Sequence, residues 1–260
     1  VVASLPVLVP DADTDGDGIS DVDEGFGDSN GNGSPDYLDN MPTSNILPQQ
    51  GNTTNAFLIE CDPGVRCGLG LFARSSTSGG VQVLDDELAA LDGISADPTF
   101  KPVGGIYDFV VRDLPAVGQS VRIAIPQRTA IPANAVYRKY NNGRWESFVV
   151  DADNALHSAP GNPGYCPPPG NSEWQVGLIE GYLCVQLTIK DGGPNDDDGL
   201  ENGAVVDPGA VSVALPVDPE PPTPEPPKPD ISLKSKGGGA VDGVWILLIG
   251  SLLMMKWIGA

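Results

Sequence analysis

Through the middle of the chain apolar and polar residues alternate at period two, and glycine or proline interrupts the alternation every few residues. Val121, Ile123 and Ile125 share one face with Arg122 on the other, the pattern of a half-buried strand. Leu183, Val185, Leu187 and Ile189 repeat it with Gln186 and Thr188 facing away, and residues 106–112 and 145–150 are β-branched and aromatic runs of strand length. Asn142-Gly143, between runs ending at Tyr140 and starting at Trp145, predicts a hairpin. With 33 Gly and 26 Pro in 260 residues, the composition argues against long helices in this part of the chain. Only residues 85–91, acidic at their start and followed by Gly93, predict a helix, and a short one. The expected fold class is mainly β, an antiparallel β-sandwich-like domain or a partly open barrel. An apolar content of 40% supplies one core for a domain of about 150 residues.

Composition divides the chain at residues 1–43, 44–215, 216–236 and 237–260. Residues 11–39 carry ten acidic side chains and no Lys or Arg, and the whole chain has a net charge of −21. Nucleic acid is excluded as a partner on that ground, because phosphate binding needs clustered cations; divalent cations are the natural counter-charge.

The acidic residues are spaced, not scattered. Asp13, Asp15, Asp17, Asp21 and Glu24 stand at positions 1, 3, 5, 9 and 12 of a twelve-residue register, with Gly18 at position 6 and Ile19 offering its carbonyl at position 7. Fifteen residues on, Asp28, Asn30, Asn32, Gly33, Ser34, Asp36 and Asp39 repeat positions 1, 3, 5, 6, 7, 9 and 12. Ca²⁺ takes six to eight hard oxygens, and alternate residues of a short loop turn inward only where the chain bends sharply at a glycine. A solvated acidic linker would have no reason to keep that glycine in both copies. No amphipathic helices flank the loops, which argues against a sensor that opens on binding. The segment resembles thrombospondin type 3 repeats, with the pattern D-x-D-x-D-G-x-x-D-x-x-[DE] in the first copy and two Asn departures in the second. That resemblance implies structural calcium, and the lower ligand charge predicts weaker binding in the second loop. A third cluster, Asp191, Asn195, Asp196, Asp197 and Asp198 with Asn202-Gly203 and Asp207-Pro208-Gly209, lacks the register. It suits either a calcium-bound turn or an Asx-rich connection.

Four cysteines in Pro/Gly-rich surroundings, without C-x-x-C spacing, indicate disulfides and an oxidising compartment. Three connectivities exist. The simplest pairs Cys61 with Cys67 across the Pro63-Gly64 turn, and leaves Cys166 with Cys184. His157 is the single histidine, so a Ser-His-Asp or Cys-His site has no other base, and no nucleophile–base pair is apparent. Trp145, Trp174, Tyr137, Tyr140 and Tyr165 could form a sugar platform, but a sandwich core and its rim use the same residues and are the favoured reading.

Gly105-Ile106-Tyr107-Asp108-Phe109, Leu114-Pro115, residues 121–126, Tyr137-Arg138-Lys139-Tyr140 with Trp145, residues 187–193, and Asn202-Gly203 with Asp207-Pro208-Gly209 resemble the bacterial choice-of-anchor U domain over about residues 57–213. The resemblance implies attachment to the cell envelope through an interchangeable C-terminal sorting signal, and no enzymatic activity.

Residues 216–230 hold eight prolines, a composition for an extended stalk reaching roughly 45 Å. Gly237-Gly238-Gly239 then precede an apolar run from Val244 to Met255 with Lys256 and Trp257 behind it. As a helix, the stretch from residue 243 onward would measure about 27 Å, enough to cross a hydrocarbon layer. Glycines before such a helix resemble the GlyGly-CTERM sorting signal, which implies membrane insertion, cutting by a rhomboid-type protease and delivery to the cell surface. The single Lys256 where that family ends in several basic residues leaves a permanent anchor open. The start at Val1, with no Met and no basic n-region, suits either a removed signal peptide or a piece of a longer protein.

The sequence thus predicts an exported, surface-anchored bacterial protein without enzymatic activity, whose acidic repeats bind structural Ca²⁺. An adhesin or glycan-binding module is the alternative, and the non-catalytic C-terminal portion of a larger secreted enzyme is third.

Overall fold

The structure is a computed structural model and describes residues 7–16, 18–41, 43–51 and 56–216. Asp17 and the expected sorting segment, Gly237, Gly238 and Gly239 included, lie outside the described residues.

Two antiparallel sheets make up most of the fold. The first runs β1 (Ile46–Pro48), β2 (Leu58–Cys61), β7 (Ser120–Pro126), β12 (Cys184–Lys190), β10 (Ala155–Ala159) and β11 (Gln175–Val176) in spatial order. The second runs β3 (Arg66–Leu69), β6 (Ile106–Arg112), β13 (Val205–Ala214), β8 (Val136–Asn141) and β9 (Arg144–Ser147). In it, β4 (Gln82–Val83) adds to β6 and β5 (Phe100–Pro102) to β13.

The alternating runs seen in the sequence pair with one another. Val121, Ile123 and Ile125 of β7 are the Cα partners of Ile189, Leu187 and Val185 of β12, so the two apolar sets share one face. All six are buried in one cluster with Leu47 and Ile59 of the same sheet and Tyr107, Phe109, Val111, Tyr137, Val205 and Val211 of the other. That shared core is the arrangement of a β-sandwich.

Helix is scarce and shorter than the sequence predicts. The expected helix over 85–91 is α2 (Asp85–Leu88), with α1 (Asp21–Glu24) ahead of it in the chain. Beyond Leu88 the chain tightens, Ala90 N bonding Glu87 O and Leu91 N bonding Leu88 O, each three residues back. The strand expected over 145–150 is β9, which starts at Arg144 and stops at Ser147; Asn142-Gly143 closes its hairpin with β8 as predicted. Asp207-Pro208-Gly209, read from sequence as loop material, lies inside β13, the longest strand. There Val205, Ala210 and Val211 are buried on either side of the tripeptide, and burial outweighs its turn chemistry.

Both cysteine pairs form, Cys61 with Cys67 at a Cα separation of 6.5 Å and Cys166 with Cys184 at 5.6 Å. The first links the end of β2 to β3, one strand from each sheet. The second ties the proline-rich segment after Tyr165 to β12.

Candidate calcium loops and the buried carboxylates

The first residue of each register folds its own loop. Asp13 Oδ1 accepts from Gly16 N at 2.8 Å and its Oδ2 from Gly18 N at 3.1 Å. Asp28 Oδ2 likewise accepts from the position-6 amide, Gly33 N, while its Oδ1 takes Asn32 N at position 5, both at 3.0 Å. Gly18 and Gly33 have φ of 95° and 94°, a conformation that a side chain would strain, which is why position 6 is glycine in both copies.

Position 9 closes each loop from the other end. Thr14 donates its N–H and hydroxyl to the two oxygens of Asp21, each at 2.7 Å. Ser29 donates in the same way to Asp36 at 2.7 and 2.8 Å. A helical turn follows in each copy, α1 in the first and a 3-10 turn over Asp36–Leu38 in the second. The fifteen-residue repeat in sequence is thus a repeat of hydrogen bonds. Thr14 and Ser29 were not singled out in the sequence, although a hydroxyl residue at position 2 of both copies marks them.

In the second loop positions 3, 5 and 12 meet. Asp39 Oδ2 accepts from the amides of Asn30 and Asn32, both at 2.7 Å. Burial pushes the Asp39 carboxyl above its ordinary range; these two amides and the Met41 N–H oppose the shift, while the charge of Asp28 adds to it. Asn32 and Ser34 are buried, as are Asp15 and Asp21 of the first loop. A groove of about 460 Å³ lies between the loops, with Glu24 and Asp39, the two position-12 carboxylates, in its lining beside Ile19, Asn30 and Asp36. Among the described residues no three His, Cys, Asp or Glu side chains gather as a metal cluster. The donor set of the second loop is mixed, with amide, hydroxyl and carboxylate oxygens, all of them the hard type that suits Ca²⁺. The loop is also fixed to the β-domain, since Leu69 N at the end of β3 bonds Asn32 O at 2.7 Å.

The third acidic cluster uses its oxygens on backbone amides. Asp191 accepts from Gly118 N and Gly203 N at 2.8 Å and from Asn202 N at 3.0 Å. Although burial pushes its carboxyl up, these amides prevail and hold it below its ordinary value. Asp196 accepts from Val206 N and Gly192 N at 2.9 Å, and burial lifts it to about 6. Asn195 exchanges two 2.8 Å bonds with the backbone of Val149. Of the two readings left open, this arrangement has the bonding of an Asx-rich connection. Asp207 is separate. It sits in the core, fully buried, ion-paired to Lys139. The sequence reading named Lys139 only within the Tyr137-Arg138-Lys139-Tyr140 motif and gave it no buried partner, although it has the same parity as Tyr137.

The aromatic side chains divide between core and surface. Tyr137 and Tyr140 are buried, Trp145 packs on Tyr140 and donates its Nε1–H to Ser95 O at 2.6 Å, and Trp174 donates to Pro168 O at 2.9 Å. Tyr165 is exposed. His157, in β10 between β11 and β12, is half-buried. No helix among the described residues is long and apolar enough to cross a membrane.

No family model, curated protein or solved structure matches this chain.

Proposed function

We propose that this protein is an exported, surface-anchored bacterial protein without enzymatic activity, in which the two acidic loops bind structural Ca²⁺ and stiffen the approach to a disulfide-bonded β-domain. The observation that carries the reading is the common hydrogen-bonded frame of the loops. In both, position 1 holds the glycine turn and position 9 holds the hydroxyl of position 2; in the second loop this leaves positions 3, 5 and 12 directed together. Ca²⁺ at the second loop would replace amide donors by amide oxygens on rotation of Asn30 and Asn32, and would offset the burial of Asp39. Placement at the cell surface, through the proline stalk and a sorted or retained apolar tail, rests on the sequence of residues 216–260 and on the resemblance to choice-of-anchor U and GlyGly-CTERM proteins. Outside a cell Ca²⁺ reaches the millimolar range, so loops with Kd on the order of 10⁻⁴ to 10⁻³ M would be substantially occupied. Limited proteolysis tests the reading: EDTA is expected to speed cleavage within residues 11–39 and added Ca²⁺ to reverse it. Cleavage rates that are the same in both conditions would remove the structural role.

A further inference from the structure

Lys139 and Asp207 belong to neither loop. They lie on adjacent strands of the second sheet, β8 and β13, as diagonal neighbours on one face, because Lys139 is the Cα partner of Gly209. Their side chains are 2% and 0% exposed. Lys139 Nζ is in direct contact with Asp207 Oδ1, whereas Asp207 Oδ2 has no hydrogen-bond partner among the described residues. Phe109, the Cα partner of Asp207, and Tyr107, the partner of Gly209, are buried on the same face together with Tyr137. A Cβ on Gly209 would stand 2.9 Å from Asp207 Oδ1 and 2.7 Å from Tyr137 Cε1, so glycine is what leaves room for the contact.

A buried ion pair with one carboxylate oxygen unpaired is expensive to hold, because both ions have left water and only part of their bonding is restored. Burial accordingly pushes the Asp207 carboxyl up, against the pull of Lys139. Moving one proton within the pair leaves a neutral amine against a neutral carboxyl, a nucleophile and an acyl carbon held together with water excluded.

We propose that Lys139 and Asp207 condense to an amide, an intramolecular isopeptide bond that joins β8 to β13. The ammonium gives one proton to Oδ1, the oxygen it contacts. The Nζ lone pair then attacks Cγ, forming the N–C bond as the carbonyl π electrons move onto Oδ2. A second proton passes from Nζ to the Oδ1 hydroxyl, the C–Oδ1 bond breaks with its electron pair, and water leaves as the Oδ2 electrons restore the carbonyl. Of the three ammonium protons, two depart in the water and one stays on the amide; no oxidant, reductant or cofactor takes part. Two buried charges are replaced by one neutral amide, and the expelled water is not retained in an apolar core. The bond ties down the strand from which the chain runs on towards residue 216, so a pull on that end would meet a covalent stop at Asp207. Calcium plays no part in the reaction, so its test stands apart from that of the loops.

The test is mass spectrometry of the purified full chain after reduction, alkylation and trypsin. An amide at Lys139 blocks cleavage there, so the expected species joins residues 139–144 to residues 191–234 with the loss of one water, about 18 Da. Lys139→Arg is expected to abolish that species and release residues 191–234 unlinked. Wild-type chain that yields residues 140–144 cut after Lys139, together with free 191–234, would overturn the proposal, and this outcome needs no variant to fold.

Discussion

Asp108 shows how a single side chain can set a pH dependence. Its Oδ2 accepts from Phe72 N and Ala73 N at 2.6 and 2.8 Å, tying the segment after β3 to the outer face of β6. Burial nevertheless prevails over those two bonds and lifts the carboxyl from 3.8 to about 6. Between these values the folded chain holds more protons than the unfolded one. The contribution to stability is therefore fully present below about pH 4 and is lost as pH rises through about 6, a change on the order of 1–3 kcal/mol. Asp196 shifts in the same direction for the same first cause, burial. Asp108→Asn keeps an oxygen for the two amides and removes the titration, so unfolding free energy against pH should be flatter between pH 4 and 6 than in the wild type. Equal slopes would contradict the assignment. Glu87 moves the other way, held at about 2 chiefly by Thr77 with help from Ser76 and Leu84, so its contribution is lost as pH falls from 4.5 through 2. Gly209 sets a steric limit. Gly209→Ala would press a methyl group against Tyr137 and Asp207, and should cost about 1–3 kcal/mol in urea unfolding.

At the scale of elements, what the sequence revealed depended on whether local pattern and tertiary burial agree. β7 and β12 carry apolar alternation and β6 a β-branched and aromatic run, and all three stand within a residue of where those patterns place them. The hairpin of β8 and β9 was legible because Asn142-Gly143 has turn chemistry that nothing nearby opposes. β13 was not, because Asp-Pro-Gly carries strong local turn signals and only the packing of distant strands overrides them. α1 was hidden for a related reason: its four residues are also loop positions 9 to 12, and the metal register masked the helical turn. Both disulfides follow the simplest pairing, since a Pro-Gly turn brings Cys61 to Cys67 and leaves one choice. Their effects should differ with the loop each closes. Removing Cys166–Cys184, with a separation of 18, should cost about 3 kcal/mol, and removing Cys61–Cys67, with a separation of 6, about 2 kcal/mol. Thermal unfolding of the two double-alanine variants checks the order, and a larger loss from the shorter loop would contradict it.

For the whole molecule, the acidic surplus and the rigid β-domain belong to one account. A chain with a net charge of −21 repels itself, and in residues 11–39 no Lys or Arg is present in the segment to offset its ten acidic side chains. Internal hydrogen bonds to Thr14, Ser29, Asn30 and Asn32 meet part of that cost, and the bond from Leu69 to Asn32 passes the order of the second loop to β3. Bound Ca²⁺ would meet the remainder, and would make the rigidity of this segment follow the calcium of its surroundings. The most direct measurement is a calorimetric Ca²⁺ titration of the chain ending before Gly237, with Asp13→Ala and Asp28→Ala variants beside it. The account predicts about two Ca²⁺ per chain, one lost in each variant, with the weaker site in the Asn-containing second loop. Absence of binding heat, or a stoichiometry that neither variant changes, would contradict it.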